Sequence, residues 1–385
     1  MKKDIFFQLS QNAAERLAER FGTPLLVLSL EQIEKNYRFL KKHLPRVQLY
    51  YAIKANPHQR ILELLRDLGS CFDVASDGEI RTLAAMGIEG ERLIYANPIK
   101  TGGGLQACCD VGVHKMTFDS ESEIVKMAQG CPGATVLLRI RIDNSSAHVD
   151  LNKKFGVGRE RAVELLQAAQ AAGLDAAGVC FHVGSQTMSA DPYLNALDLA
   201  REIFEEAAAA GMQLRILDIG GGFPIPEPKV RFNLKEMLKQ INARLDEDFP
   251  NVEIWAEPGR FMCGTAVNLI TSVIGVTERG GQPWYFLDDG LYGTFSGVIF
   301  KLISFKEGEE VEATFAGPSC DSLDIMFRGK LTVRQEVGDL LLVPSCGAYT
   351  SASATTFNGF SKANFIVWED LKDEIEPQPQ AAMVG

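Results

Sequence analysis

Residues 49–76 read LYYAIKANPHQRILELLRDLGSCFDVAS, and the pattern of this stretch repeats through most of the chain. An apolar run over 49–55 gives way to a segment with apolar residues at 61, 64, 65 and 68, a single helical face closed by Gly69. A second apolar run follows over 71–76. The change of period reads as strand, helix, strand. The same alternation predicts further strands at RLIYAN (92–97), KMTFD (115–119), TVLLRIRI (135–142), AGVCFHVG (177–184), RILDIGGGF (215–223) and VEIWAEPG (252–259). Several are apolar almost throughout, as parallel strands buried on both faces are. Eight strands, each followed by a helix, is the count of a (β/α)8 barrel, typically ~250 residues long. A doubly wound sheet is the competing α/β arrangement, and the count of eight favours the barrel.

After Phe261 the texture changes. AVNLITSVIGVTER, PWYFLDDG, EEVEATFAG, GKLTVRQE and DLLLVPS are strand-like, with turn signals such as RGGQ and GPSCD between them. They predict a second, antiparallel β-sandwich or barrel domain. The early strand TPLLVLSL (23–30) is free to join it. The expected division is a barrel over 30–265 and a β domain from 1–29 plus 266–385, in keeping with a 385-residue chain too long for one usual domain. The polar stretch 142–155 is long for a βα loop and is expected to be mobile, and the tail EIEPQPQAAMVG to be disordered.

The net charge of −11 and the lack of a Lys/Arg block argue against nucleic acid as a partner. No apolar run approaches the roughly 20 residues that span a bilayer. MKKDIFFQLSQ does not read as a secretory signal. The eight cysteines form no CxxC or CxxH pattern, which suggests reduced, mostly buried thiols in a cytoplasm and no metal site.

On a barrel, polar residues at the C-terminal strand ends make the active site. Here these ends carry Lys54, Asp73, Ser76, Asn97, Arg139, His182, Ser185, Gly220–Gly222, Glu257 and Arg260. Each has an ordinary reading. Lys54 could snorkel to the rim, or act as an amine nucleophile whose pKa falls on desolvation. GGGFP could be a turn, or a nest of backbone N–H groups for a phosphate. His182 could be a core histidine, or a flat ring stacked on a planar cofactor. Glu257 could pair with Arg260, or hold a proton on a heteroaromatic nitrogen. Together the functional readings describe a pyridoxal 5′-phosphate (PLP) site. It would have a Schiff-base lysine, a phosphate cradle, a stacking ring and a carboxylate that keeps the ring an electron sink.

The chain resembles the eukaryotic-type ornithine decarboxylase family, whose fold is alanine-racemase-like. The resemblance runs nearly end to end, through YAIKANP (51–57), FDVAS (72–76), FHVGSQ (181–186), LDIGGGFP (217–224), AEPGRF (256–261), DDGLYGTF (288–295), GPSCDSLD (317–324) and GAYTSASATTFNGF (347–360). It implies that Lys54 holds the cofactor covalently, from a buried strand end that lowers its pKa. Glu257 then faces the pyridine nitrogen and His182 stacks on the ring. Ser185, Gly220, Gly221, Gly222, Gly259, Arg260 and Tyr349 surround the phosphate, with Asp73, Glu79 and Arg139 in the supporting network. Cys320 governs decarboxylation and reprotonation at Cα. Asp321, helped by Asp289, binds the substrate's distal ammonium, with Tyr292 and Phe357 alongside. The resemblance also implies a cytoplasmic homodimer in which Cys320 and Asp321 serve the other subunit's Lys54.

The implied reaction is decarboxylation of L-ornithine to putrescine in polyamine biosynthesis. A dual lysine/ornithine decarboxylase is the alternative, because one methylene is worth only ~1–3 kcal/mol of discrimination. Diaminopimelate decarboxylase would want an arginine for a distal carboxylate where this chain has acids. An inactive regulator-binding homologue would be expected to lose Lys54 or the Cys320–Asp321 pair. Asp288 and Lys301 depart from the family pattern in the element that shapes the distal pocket, which bears on chain-length preference.

Overall fold

The computed structural model describes residues 6–142, 154–227, 230, 232–297, 299 and 301–376. The expectations for the 142–155 loop and for the tail fall largely outside the described residues. The chain divides into two compact units, Tyr37–Phe261 and Met1–Asn36 with Met262–Gly385.

A short strand β1 (Leu25–Leu28) precedes the first of these units. The unit itself is a closed barrel of eight parallel strands: β2 (Val47–Ala52), β3 (Cys71–Val74), β4 (Leu93–Tyr95), β5 (Lys115–Phe118), β6 (Thr135–Arg139), β7 (Asp175–Cys180), β8 (Ile216–Asp218) and β9 (Glu253–Ala256). β9 closes on β2 with Val47 opposite Ile254. All eight strands match the apolar runs read from the sequence. Tyr50, Ile94, Ala96, Leu137, Ala177, Cys180, Ile216 and Trp255 fill one buried cluster drawn from strands around the barrel. The ladders end sooner than the apolar runs do. β2 stops at Ala52, and Ile53–Ala55 forms a 3-10 turn carrying Lys54. The helix after β2, Gln59–Asp67, buries Ile61, Leu62 and Leu65, so Leu62 faces the core in place of the expected Leu64.

The second unit is one eight-stranded sheet. Its members are β1, β10 (Val267–Arg279), β11 (Gln282–Leu287), β12 (Ile303–Ser304), β13 (Glu310–Ala316), β14 (Ile325–Val333), β15 (Leu340–Val343) and β16 (Asn364–Val367). The expectation of a purely antiparallel domain is corrected here, because β1 pairs with β16 and β11 with β13 in parallel. Both parallel pairs join strands distant in sequence, so no hairpin dictates their direction. β10 is long enough to serve two neighbourhoods: its first half pairs with β1 and β15, its second with β11. Helix Gln11–Phe21, capped by the Ser10 side chain, packs Ala13, Ala14 and Leu17 over Leu25, Val27, Ile270 and Leu342. Among the described residues no helix is long and apolar enough to cross a membrane.

Candidate active site

The parallel barrel sends the chain out of every strand at the same end, and the polar residues gather there. Lys54 forms an ion pair with Asp73, which is on the adjacent strand β3. The lysine side chain is 45% exposed, while the Asp73 side chain is fully buried. The expectation of a buried strand end for Lys54 is therefore corrected: the strand has already ended, and the turn lifts the ammonium to the rim. The second oxygen of Asp73, Oδ1, is buried with no hydrogen-bond partner. Glu79 sits one turn into the next helix, held by the Ser76 N-cap and by a bond back to the residue before it. Its N–H donates to Ser76 Oγ at 3.2 Å and its carboxylate accepts from the Ala75 N–H at 2.5 Å. Burial raises the Glu79 pKa, and Asp73 adds to the rise while Lys54 opposes it.

His182 follows β7 and is half-buried. Its Nδ1 accepts a hydrogen bond from the Gly184 N–H at 3.0 Å. Desolvation pushes its pKa down to about 3, helped by the cations of Arg139 and Lys54, so the ring is neutral at any physiological pH. Arg139 ends β6 with its guanidinium 5.7 Å from the Phe155 ring centroid.

The glycine run follows β8 with little space around it. A Cβ on Gly220 would lie 2.1 Å from the Phe181 carbonyl, and one on Gly222 2.5 Å from the Gly184 carbonyl. Both residues also have left-handed φ, +65° and +101°. A Cβ on Gly221 would meet the Glu257 carbonyl at 2.7 Å and His182 Nε2 at 3.0 Å. Gly220 and Gly222 let the backbone pack against the carbonyls that follow β7, and Gly221 lets it pass close to the imidazole.

Glu257, 8% exposed, leaves β9 beside this run, and its N–H donates to the Gly220 carbonyl at 2.8 Å. Its pKa is held well above the usual carboxylate range by burial, then by Asp218 and Asp73. Asp218, at the end of β8, is fully buried: its Oδ1 accepts from the Gly220 N–H at 2.8 Å, while its Oδ2 is buried with no hydrogen-bond partner. Asp218 is pushed up to about 6, again chiefly by burial. Burial and the neighbouring carboxylates of Asp218 and Asp73 thus favour the protonated form of Glu257. Asp218 was missed from the sequence, although a lone aspartate in the apolar run RILDI was a usable signal. Gly259 precedes the buried Arg260, whose Nε donates to Ser185 Oγ at 3.4 Å.

The second unit gathers a different set. Asp289, 5% exposed, follows β11. Its Oδ1 accepts from the N–H groups of Gly290 at 2.8 Å and Thr294 at 2.9 Å, while Oδ2 is buried with no hydrogen-bond partner. Burial pushes its pKa up to about 6. That corresponds to an ionisation cost of about 3 kcal/mol relative to a free aspartate. A cavity lies against it, bordered by Tyr292, Ser319, Asp324 and Phe357. Tyr292 stacks on Phe357 at 4.2 Å, and its hydroxyl donates to the Asp321 carboxylate. That bond, with the Leu323 N–H, lowers the Asp321 pKa. Cys320 is exposed, and its N–H donates to Asn358 Oδ1 at 3.0 Å. Tyr349 is half-buried with a left-handed φ of +59°, and Gly297 passes so close that a Cβ there would lie 2.5 Å from the Tyr349 carbonyl. Asp288 is committed elsewhere: it accepts from Thr271 Oγ1 at 2.5 Å and Ser272 Oγ at 2.8 Å, both on β10.

Residues 30–264 match the family model "Pyridoxal-dependent decarboxylase, pyridoxal binding domain". The chain belongs to the pyridoxal-dependent decarboxylase family. This decarboxylase is 51% identical to a lysine/ornithine decarboxylase of Selenomonas ruminantium, over 94% of each chain. It is 34% identical to an ornithine decarboxylase of Caenorhabditis elegans, over 94% of this chain and 92% of that one. The solved complex of SrLDC with PLP and cadaverine superposes with a TM-score of 0.91 at 48% identity, over 97% of this chain and all of that one. The decarboxylase is thus an enzyme with PLP as its cofactor. Its barrel residues fit that group. Lys54 supplies an amine beside a buried acceptor. The glycine run, Ser185 and Arg260 supply donors suited to a phosphate, and Glu257 supplies a buried carboxyl of raised pKa suited to a ring nitrogen.

Proposed function

We propose that this chain decarboxylates L-ornithine to putrescine and CO2. The carrying observation is Asp289: a buried carboxylate with one oxygen left without a hydrogen-bond partner, beside a cavity edged by Tyr292 and Phe357. Such a group is paired best by a cation that arrives with the substrate. A distal ammonium is that cation, and a distal carboxylate is excluded by repulsion.

Lys54 would hold the cofactor, with Ser185, Arg260 and the backbone of Gly220–Gly222 on its phosphate and Gly259 and Tyr349 nearby. Bound there, PLP supplies an electron sink for the pair left behind when the carboxylate departs. Glu257 holds a proton at the ring nitrogen, a role that its raised pKa suits. A decarboxylase needs a carboxylate at this place. Neutral His182 would cover one ring face without adding charge. Asp73, Glu79 and Arg139 orient this set. Asp289 and Asp321 would bind the distal ammonium, with the Tyr292–Phe357 stack alongside, and Cys320 would deliver a proton to Cα. We assign Cys320 and Asp321 to the Lys54 site of a second copy, in a homodimer with two shared sites.

A second reading has one observation in its favour: the relative at 51% identity is named for lysine as well as ornithine. The test is CO2 release from L-ornithine, L-lysine, L-arginine and meso-diaminopimelate, compared as kcat/KM. Ornithine ahead by tenfold or more supports the proposal. Ornithine and lysine within a few-fold of each other establish a dual enzyme. A preference for diaminopimelate overturns the role of Asp289 and Asp321.

A further inference from the structure

Two cysteines outside the catalytic constellation are in sulfur contact. Cys109 lies near the C-terminal end of helix Gly102–Val111, and Cys131 caps the C-terminal end of the next helix, Glu121–Gly130. Their Sγ atoms are 3.4 Å apart. Cys109 is exposed and its thiol donates to the Gly130 carbonyl at 2.8 Å, while Cys131 is 6% exposed. The neighbouring Cys108 is fully buried. Closing the pair to a disulfide length of about 2.05 Å requires the sulfurs to approach by roughly 1.4 Å. The left-handed Gly112, at φ +80°, caps the first helix three residues beyond Cys109.

We propose that Cys109 and Cys131 form a peroxide-sensitive thiol pair that closes to a reversible disulfide. The exposed Cys109 reacts first. Its thiolate sulfur attacks one peroxide oxygen, the O–O bond breaks, the leaving hydroxide takes up a proton as water, and a sulfenic acid remains. Cys131 then attacks that sulfur and loses its proton. The S–O bond breaks, a second water leaves and the S–S bond forms. Two thiols lose two electrons in all, and one peroxide becomes two waters. Burial and the neighbouring Cys109 push the Cys131 thiol up to about 12, which fits it to resolve and not to initiate. Both cysteines lie at helix ends that lead into the N-terminal ends of β5 and β6, the face of a barrel associated with stability. The link thus leaves the strand ends that carry Lys54 untouched.

The test treats reduced holoenzyme with hydrogen peroxide, caps free thiols with iodoacetamide, and maps a non-reducing tryptic digest. Peptides 101–115, with Cys108 carbamidomethylated, and 127–139 should appear joined, two hydrogens lighter than the sum of the two, and separate with dithiothreitol. The C108S variant should keep the link. C131S should leave Cys109 as a sulfenic or sulfinic acid. C109S should turn over substrate at the wild-type rate but show no link. The oxidised wild type should melt a few degrees higher than the reduced form, with no such shift in C131S. A link that survives in C109S, or wild-type Cys109 accumulating as sulfinic acid beside an alkylated Cys131, overturns the proposal.

Discussion

Lys54 and Asp73 meet across neighbouring barrel strands, the ammonium reaching solvent and the carboxylate wholly enclosed. The pair is asymmetric: Lys54 can lose its partner and hydrate, whereas Asp73 cannot. K54A should therefore abolish turnover and also lower stability. A buried polar group stripped of its partner costs about 1–3 kcal/mol, and the exposed half of this pair holds the effect to the lower part of that range. Adding D73N to K54A should restore the melting temperature but not activity. Thermal melts of the two single variants and the double variant measure this coupling. If the double variant melts no higher than K54A, Lys54 does not compensate the Asp73 charge.

The close approach of Gly221 to His182 predicts that G221A retains the fold but loses cofactor. The added methyl would press on the Glu257 carbonyl at 2.7 Å and on His182 Nε2 at 3.0 Å. Equilibrium dialysis with PLP should show at least about tenfold weaker retention, since 1.4 kcal/mol of strain suffices for that factor. Wild-type retention would show that the ring and the loop have slack to give.

Asp289 sets a pH dependence. Its carboxyl, pushed up to about 6, takes up a proton as the pH falls through that value. The attraction for a distal ammonium fades with it, so kcat/KM for ornithine should drop below pH 6, and D289N should flatten that limb at a lower plateau. His182, neutral above about 3, adds no inflection. Stability runs the other way. A carboxyl whose pKa is raised on folding contributes its stabilisation below its unfolded value near 4 and loses it as the pH rises through about 6. D289N should thus gain on the wild type by up to about 3 kcal/mol at pH 8, and by little at pH 4. Urea titrations at the two pH values decide it.

Cys320 and Asp321 should separate kinetically. C320A is expected to lower kcat by about 100-fold with KM near wild type, the scale of a lost proton donor. D321A should mainly raise KM. Y292F, which removes one hydrogen bond worth about 1 kcal/mol, should change KM about fivefold. Steady-state kinetics on ornithine test all three, and an unchanged kcat in C320A would remove the cysteine from the chemistry.

The eight barrel strands were legible because each is short and largely apolar, and all but β9 are followed by a helix of nine residues or more. Their ends were less so. Pattern alone extends β2 through Ala55, but the ladder stops at Ala52, and apolarity cannot distinguish a strand residue from a buried 3-10 turn. The parallel pairing of β11 with β13 was invisible for a similar reason: each strand looks the same whichever way its neighbour runs. Asp288 read as a departure near the pocket, and only the position of Thr271 and Ser272 on β10 reveals its anchoring duty. Asp218 was overlooked because the glycine run after it drew the functional reading.

The crowding at Gly220 and Gly222 comes from the Phe181 and Gly184 carbonyls, atoms of the scaffold itself. A descendant that abandoned catalysis would still need those glycines to keep its barrel closed. The triplet is thus a fossil of architecture as much as a mark of chemistry. In judging whether such a descendant is still alive as an enzyme, the informative losses would be Lys54, Glu257 and Cys320, which serve the chemistry and do not hold the barrel closed.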